Sequence, residues 1–159
     1  MIKNIKIAEE RIPVLIGKHG NVKKEIEEYT KTSIAIGDAV AIEGEALDVM
    51  TAENVIRAIG RGFAPEKALE LVDEENTIIV IALEPNSAGR IKSRVIGTRG
   101  KTRFMIEKYT RTYISVYGKT ISIIGNYEDA ELARQAIEKF IEGSPHKNVY
   151  MFLEKNCKK

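Results

Sequence analysis

The stretch RVIGTRG, residues 94–100, repeats a pattern already written in VLIGKHG, residues 14–20: an Ile followed by Gly-x-x-Gly. Each copy runs directly into an amphipathic segment, NVKKEIEEYT after the first and KTRFMIEKYT after the second, in which Val22, Ile26 and Tyr29 fall at helical spacing. A helix is therefore expected to begin at each second glycine, with Tyr29 and Tyr109 on the buried face. Glycine at both ends of a two-residue loop permits positive φ and lets another backbone come close with no Cβ in the way. The N–H groups at the following helix's start then face that gap, with the positive end of the helix dipole behind them.

The likeness extends well beyond the two loops. Residues 16–36 align with 96–116, pairing Ile16 with Ile96, Gly17 with Gly97, Gly20 with Gly100, Ile26 with Ile106, Glu27 with Glu107, Thr30 with Thr110 and Ile34 with Ile114. After a one-residue slip before a glycine, Ile42 meets Ile123, Gly44 meets Gly125, Asp48 meets Asp129 and Ile56 meets Ile137. A copy of this length is too long for a solenoid repeat and reads as one of two related domains.

Periodicity gives both copies the same elements. IKNIKIA and NTIIVIALE open them as strands, the second apolar enough to be buried on both faces. SIAI and YISVY alternate as strands, and AVAIEG and TISIIG follow across a glycine turn. DVMTAENVIRAIGRG and YEDAELARQAIEKFIEG close the copies as helices that stop at Gly. The order strand-helix-helix-strand-strand-helix predicts an α+β fold, a three-stranded sheet with helices on one face, in each of two tandem domains. The expected boundaries are 1–62 and 77–143, with 63–76 as a connecting helix. In the tail, 144–159, the apolar run Val149–Leu153 should dock while the last four residues stay loose.

Composition bounds the class. With 43% hydrophobic and 30% charged residues in 159, and no apolar run long enough to span a bilayer, the chain is expected to be a globular protein without membrane partners. The opening MIKNIKIAEERIP lacks the apolar block and cleavage site of a signal peptide, so a cytoplasmic location is expected. The single Cys157 allows neither an internal disulfide nor a cysteine metal site, and no cofactor motif is present. The net charge of +2 hides a division along the chain. Residues 1–62 carry nine Lys/Arg against ten Asp/Glu, whereas between Arg90 and Arg111 eight basic residues face Glu107 alone. Such clustering suits a polyanion, and equally a solvated helix face.

Each loop admits a bland reading, a tight turn between helices, and a functional one, a phosphate cradle. In the cradle, Lys18 and His19, or Thr98 and Arg99, stand at the tip between Gly17 and Gly20, or Gly97 and Gly100. Recurrence of the loop in the same element order favours the cradle. The chain resembles two type I KH domains in tandem, whose Gly-x-x-Gly loop clamps a single-stranded nucleic-acid backbone. In GKTRFMIEKYTRTYISVYGKTISIIG, residues 100–125, and GSPHKNVY, residues 143–150, it resembles the archaeal form of the partner-of-Nob family of small-subunit ribosome assembly factors. Lys23 and Arg103, three positions after the second glycine where generic KH domains carry an apolar residue, suit that family. The intact GKHG of the first copy departs from the family's eukaryotic members, whose first domain tends to have lost it.

The resemblance implies an RNA-binding protein that takes the 3′ region of small-subunit ribosomal RNA, alongside the PIN-domain endonuclease that trims it and other assembly factors. It implies that Arg99, Lys101 and Arg103, with amides near Gly97 and Gly100, hold roughly three or four phosphates, and that bases lie over Ile96, Ile106 and Ile114 beside the edge of strand 113–117. Tyr113 and Tyr117 are the aromatics placed to stack on a base. Glu9–Glu10, Glu27–Glu28 and Asp73–Glu75 read as solvated charge runs, and His146 as a residue with no partner that would make it a ligand. Two alternatives stand beside this reading: an RNA-processing enzyme, for which the chain offers neither a P-loop nor a triad or zinc set, and a KH-fold scaffold that binds protein.

Overall fold

The computed structural model describes residues 1–157, and the chain divides into two compact units, Met1–Glu74 and the part from Glu75 onward. In the first, β1 (Ile2–Ile5) leads through α1 (Ile12–Ile16) and a 3-10 turn at Lys18–Gly20 into α2 (Asn21–Thr30). Then follow β2 (Ser33–Ile36), β3 (Val40–Glu43), α3 (Ala46–Gly60) and the short α4 (Pro65–Ala68), extended by a 3-10 turn at Leu69–Val72. The second unit repeats the order with β4 (Asn76–Ala82), α5 (Ala88–Ile96), a 3-10 turn at Thr98–Gly100, α6 (Lys101–Thr110), β5 (Tyr113–Tyr117), β6 (Thr120–Asn126) and α7 (Tyr127–Glu142), and adds α8 (His146–Asn156).

Each sheet is antiparallel with its last strand in the middle, β1-β3-β2 and β4-β6-β5. Ile42 on β3 pairs with Lys3 and Ile34, and Ile123 on β6 pairs with Ile79 and Ile114. The equivalent isoleucines Ile26, Ile34, Ile42 and Ile56, and Ile106, Ile114, Ile123 and Ile137, are all at most 3% exposed, so the conserved half of the repeat is its core. At roughly 1.5–3 kcal/mol for each large apolar side chain removed from water, these positions hold helices against sheet in both copies.

Two expectations about these elements need correcting. β4 is not buried on both faces: Ile78 is its one buried residue, because β4 lies at a sheet edge, and the strand buried at consecutive positions, Ile121–Gly125, is the central β6. Tyr29 is 60% exposed, not packed. The residue one turn beyond Ile26 is Thr30, and it is Thr30 that is buried, its hydroxyl donating to Ile26 O at 2.7 Å and sharing a hydrogen bond with Thr32 Oγ1 at 2.7 Å. Thr110 and Thr112 repeat the arrangement, and Tyr109 is half-buried with its hydroxyl donating to Glu154 Oε1 at 3.3 Å.

The segment 63–76 holds a short helix, Pro65–Ala68, continued by the 3-10 turn, and it packs within the first unit, where Ala68 and Leu71 are buried and the segment lies on α3. α8 occupies the corresponding place in the second unit, against α7 and α6, with Val149 and Leu153 fully buried. Of the four terminal residues expected to be loose, Asn156 is helical and Cys157 N–H donates to Leu153 O at 2.9 Å, while 158–159 lie outside the described residues. Among the described residues no helix is long and apolar enough to cross a membrane. Truncation of the buried α8 anchor, Leu153→Ala, is expected to destabilise the second unit by about 2–5 kcal/mol, read from the midpoint of urea unfolding.

Candidate nucleic-acid interface

The two loops are the same structure. Gly17 and Gly97 sit at φ 75°, ψ −178° and φ 74°, ψ 179°, a region open essentially to glycine alone. A Cβ on Gly97 would stand 2.2 Å from Thr102 Oγ1, and one on Gly17 would stand 2.4 Å from Val22 Cγ2, so each first glycine lets the loop close down on the first turn of the following helix. Gly20 and Gly100 also have positive φ, 76° and 74°, but the place where their Cβ would be is open. One glycine serves internal packing; the other leaves room outside for a backbone to approach.

Between them, His19 and Arg99 hold φ 56° without being glycine, which turns the tip outward. Lys18, His19, Thr98 and Arg99 are all exposed. The amides of the two glycines and of Lys101 are spent internally. Gly97 N–H donates to Ser93 O at 2.9 Å, Gly100 N–H to Gly97 O at 3.2 Å and Lys101 N–H to Thr98 O. The loop amides left at the outer end of the bend are those of Thr98 and Arg99. Neither α2 nor α6 has an acid in its first turn, so the positive helix end is not neutralised by its own side chains.

Around this bend Thr98, Arg99, Lys101 and Arg103 are all exposed. Ile96 is half-exposed beside them, but Ile106 and Ile114 are 0% and 3% exposed and belong to the core, not to an open groove. Both point inward, where helix and sheet pack together. The strand edge is also modified. Ile114 N–H donates to Glu107 Oε2 at 2.9 Å, and Arg103 Nε lies 3.9 Å from Glu107 Oε1. In the first unit Ile34 N–H donates to Glu27 Oε2 at 2.8 Å and Lys23 Nζ lies 3.4 Å from Glu27 Oε1. Glu27 is thus no part of a solvated run: it ties α2 to the edge of β2, and Lys23 and Arg103 lean on that tie.

Two further residues escaped the sequence reading. Phe104 is 61% exposed on α6, so Tyr113, at 39%, and the half-buried Tyr117 are not alone as candidate stacking surfaces. Its counterpart in the aligned copies is Lys24, which marks the position as a surface one. The other is His146, whose Nε2 lies 3.1 Å from Arg94 O and whose ring lies 5.0 Å from that of Phe140. No local pattern could reveal a contact made across fifty residues of chain. The first unit differs in charge as well. A groove of about 340 Å³ between α2 and the 65–72 segment is lined by Glu25, Glu66, Glu70 and Asp73 around Tyr29 and Leu69, a surface that repels phosphate.

The chain matches the family model of the second KH domain of PNO1, described as a eukaryotic-type KH domain (KH-domain type I), twice, over residues 3–77 and 72–158. It is 43% identical to a KH domain-containing protein of Methanocaldococcus jannaschii over 99% of this chain and 75% of that one. It is 33% identical to the pre-rRNA-processing protein PNO1 of Coccidioides immitis, over 62% of this chain but 41% of that protein, so it spans less than half of that relative. A chain solved in the a/eIF2alpha–aDim2p–rRNA complex of Pyrococcus horikoshii superposes with a TM-score of 0.91 at 42% identity, over 98% of this chain and 93% of that one.

The division of labour between the glycines is measurable. Gly100→Ala is expected to cost about 1–2 kcal/mol of stability through its left-handed φ alone. Gly97→Ala adds a steric clash to a conformation closed to alanine, for about 3 kcal/mol or more. Equilibrium denaturation of the two variants checks the order.

Proposed function

The chain belongs to the PNO1-like family of type I KH domains, and from that membership we propose that it binds single-stranded RNA in small-subunit ribosome assembly, at the 3′ region of the small-subunit rRNA. The observation that carries the reading is the second bend: an open-faced Gly100, an uncapped α6 start and four exposed polar or cationic side chains at the loop and the first turn of the helix. A phosphate approaches over Gly100, accepts from the Thr98 and Arg99 amides, and is flanked by Arg99 and Lys101; Arg103 meets a neighbouring phosphate. The strand lies along α6 toward the edge of β5, with Ile96 against a base face and Tyr113 or Phe104 stacking on another.

This is a binding chemistry with no reacting group, and we assign the protein no catalysis of its own; a PIN-domain endonuclease is the partner proposed to cut the RNA it presents. Its place of action is the cytoplasm. The first domain, read as 1–62, uses Gly17, Lys18, His19, Gly20 and Lys23 more weakly, because carboxylates surround its neighbouring groove. The second, read as 77–143 with its tail, supplies most of the affinity.

Two measurements test the reading. Neutralising about three to five phosphates predicts a log–log salt slope of roughly −2 to −3.5 for binding to an rRNA 3′-end oligonucleotide, at about −0.7 per contact. The double change Thr98→Asp with Arg99→Asp is expected to abolish binding, whereas Lys18→Asp with His19→Asp weakens it less; equal losses would overturn the ranking of the two domains.

A further inference from the structure

On the side of the second bend away from the strands lies an open cleft of about 620 Å³, to which neither β5 nor β6 contributes a residue. Its walls are the end of α5 (Ser93, Arg94), the loop and first turn of α6 (Thr98, Lys101) and the added helix α8 (His146, Tyr150). We infer that this cleft is a second nucleotide pocket, which holds the residue adjoining the phosphate gripped by the Gly-x-x-Gly bend. The inference rests on the RNA reading above and extends it to a surface that a three-helix KH domain lacks.

The volume lies within the range of pockets that enclose ligands of nucleotide size. The lining matches one. Lys101 is exposed at the mouth and supplies a charge for a phosphate, and Arg94 stands beside it with its guanidinium over the Phe140 ring, anchored to Ser144 O. Tyr150 and His146 offer two rings, 6.4 Å apart, as an edge and face for a base. The Tyr150 and Thr102 hydroxyls, 3.1 Å apart, are donors and acceptors for its polar edge.

The repeat supplies an independent observation. Where the second copy lines the cleft with Ser93, Arg94, Lys101 and Thr102, the first has Pro13, Val14, Asn21 and Val22 at the aligned positions. Ile96, Gly97, Gly100 and Ile106 among these positions recur as Ile16, Gly17, Gly20 and Ile26. The two copies therefore share the loop but diverge where the cleft is built: Pro13, Val14 and Val22 give way to Ser93, Arg94 and Thr102, Asn21 to Lys101, and Lys18 to Thr98. A purely structural α8 would need Val149 and Leu153, not a cationic hollow beside the phosphate grip.

The test is a length series of unlabelled RNA oligonucleotides, from four to seven residues of the rRNA 3′ end, extended at either end and titrated calorimetrically into the full chain. The wild type is expected to gain about tenfold in affinity when a residue is added at one end beyond the four that a KH groove accommodates. Ser93→Tyr, a neutral plug at an exposed helix position, should erase that gain and leave four-residue binding unchanged, with an unaltered melting temperature. Tyr150→Phe, which keeps the ring, should remove part of it. A gain that survives the plug, no gain in the wild type, or an equal loss at every length would overturn the pocket while leaving the grip standing. Failure of the wild type to bind any oligonucleotide would overturn the RNA reading and the pocket with it.

Discussion

The site depends on how closely the first loop glycine lies on the helix that follows. At Gly97 there is no space for even one methyl group above Thr102, and at Gly17 none above Asn21 and Val22. That contact pins the turn to the helix start, so the outward tip at Arg99 and the open face at Gly100 are held in place by packing rather than by a ligand. Preorganisation of this kind spares the entropy of ordering a loop upon binding. The phosphate grip proposed for the second unit uses donors and charges whose positions descend from that one approach.

A second layer of constraint fastens the helix after the loop to the sheet. The glutamate seven residues before the strand isoleucine, Glu27 or Glu107, accepts that residue's N–H, and the threonine pairs Thr30–Thr32 and Thr110–Thr112 close the helix–strand corner. These groups are half-buried or buried and each has its partner, as polar groups in such places must. The glutamate also caps part of an edge strand that would otherwise offer its amide to any passing chain. One carboxylate therefore couples the loop-bearing helix, the cation one turn earlier and the strand edge.

Duplication has left the scaffold in both units and changed the surface. The core isoleucines, the glycines and the glutamate and threonine ties recur, whereas charge divides sharply: carboxylates line the groove next to α2, and Arg94, Lys101 and His146 line the cleft next to α6. The helical covers differ too, a short turn at 65–72 in one unit and the eleven residues of α8 in the other. Only the longer cover reaches the bend and builds a wall beside it. The two units are frames of one design whose grooves carry charge of opposite sign.

The amino-acid order by itself determined the duplicated strand-helix-helix-strand-strand-helix plan, the start of α2 and α6 at the second glycine, and the cationic character of the second loop. Those features are written in local spacing: glycines a fixed distance apart, isoleucines at periods of two or about 3.6, and unbalanced charge within one helix. Tertiary structure alone decided which apolar residues are core and which are surface. Ile106 and Ile114 turned inward and Tyr29 outward, because one step along a helix rotates a side chain by about 100° and the sheet fixes which of the neighbours is covered. It alone also gave Glu107 and His146 their partners, since hydrogen bonds to Ile114 and Arg94 depend on chain segments brought together by folding, a separation that no local pattern encodes.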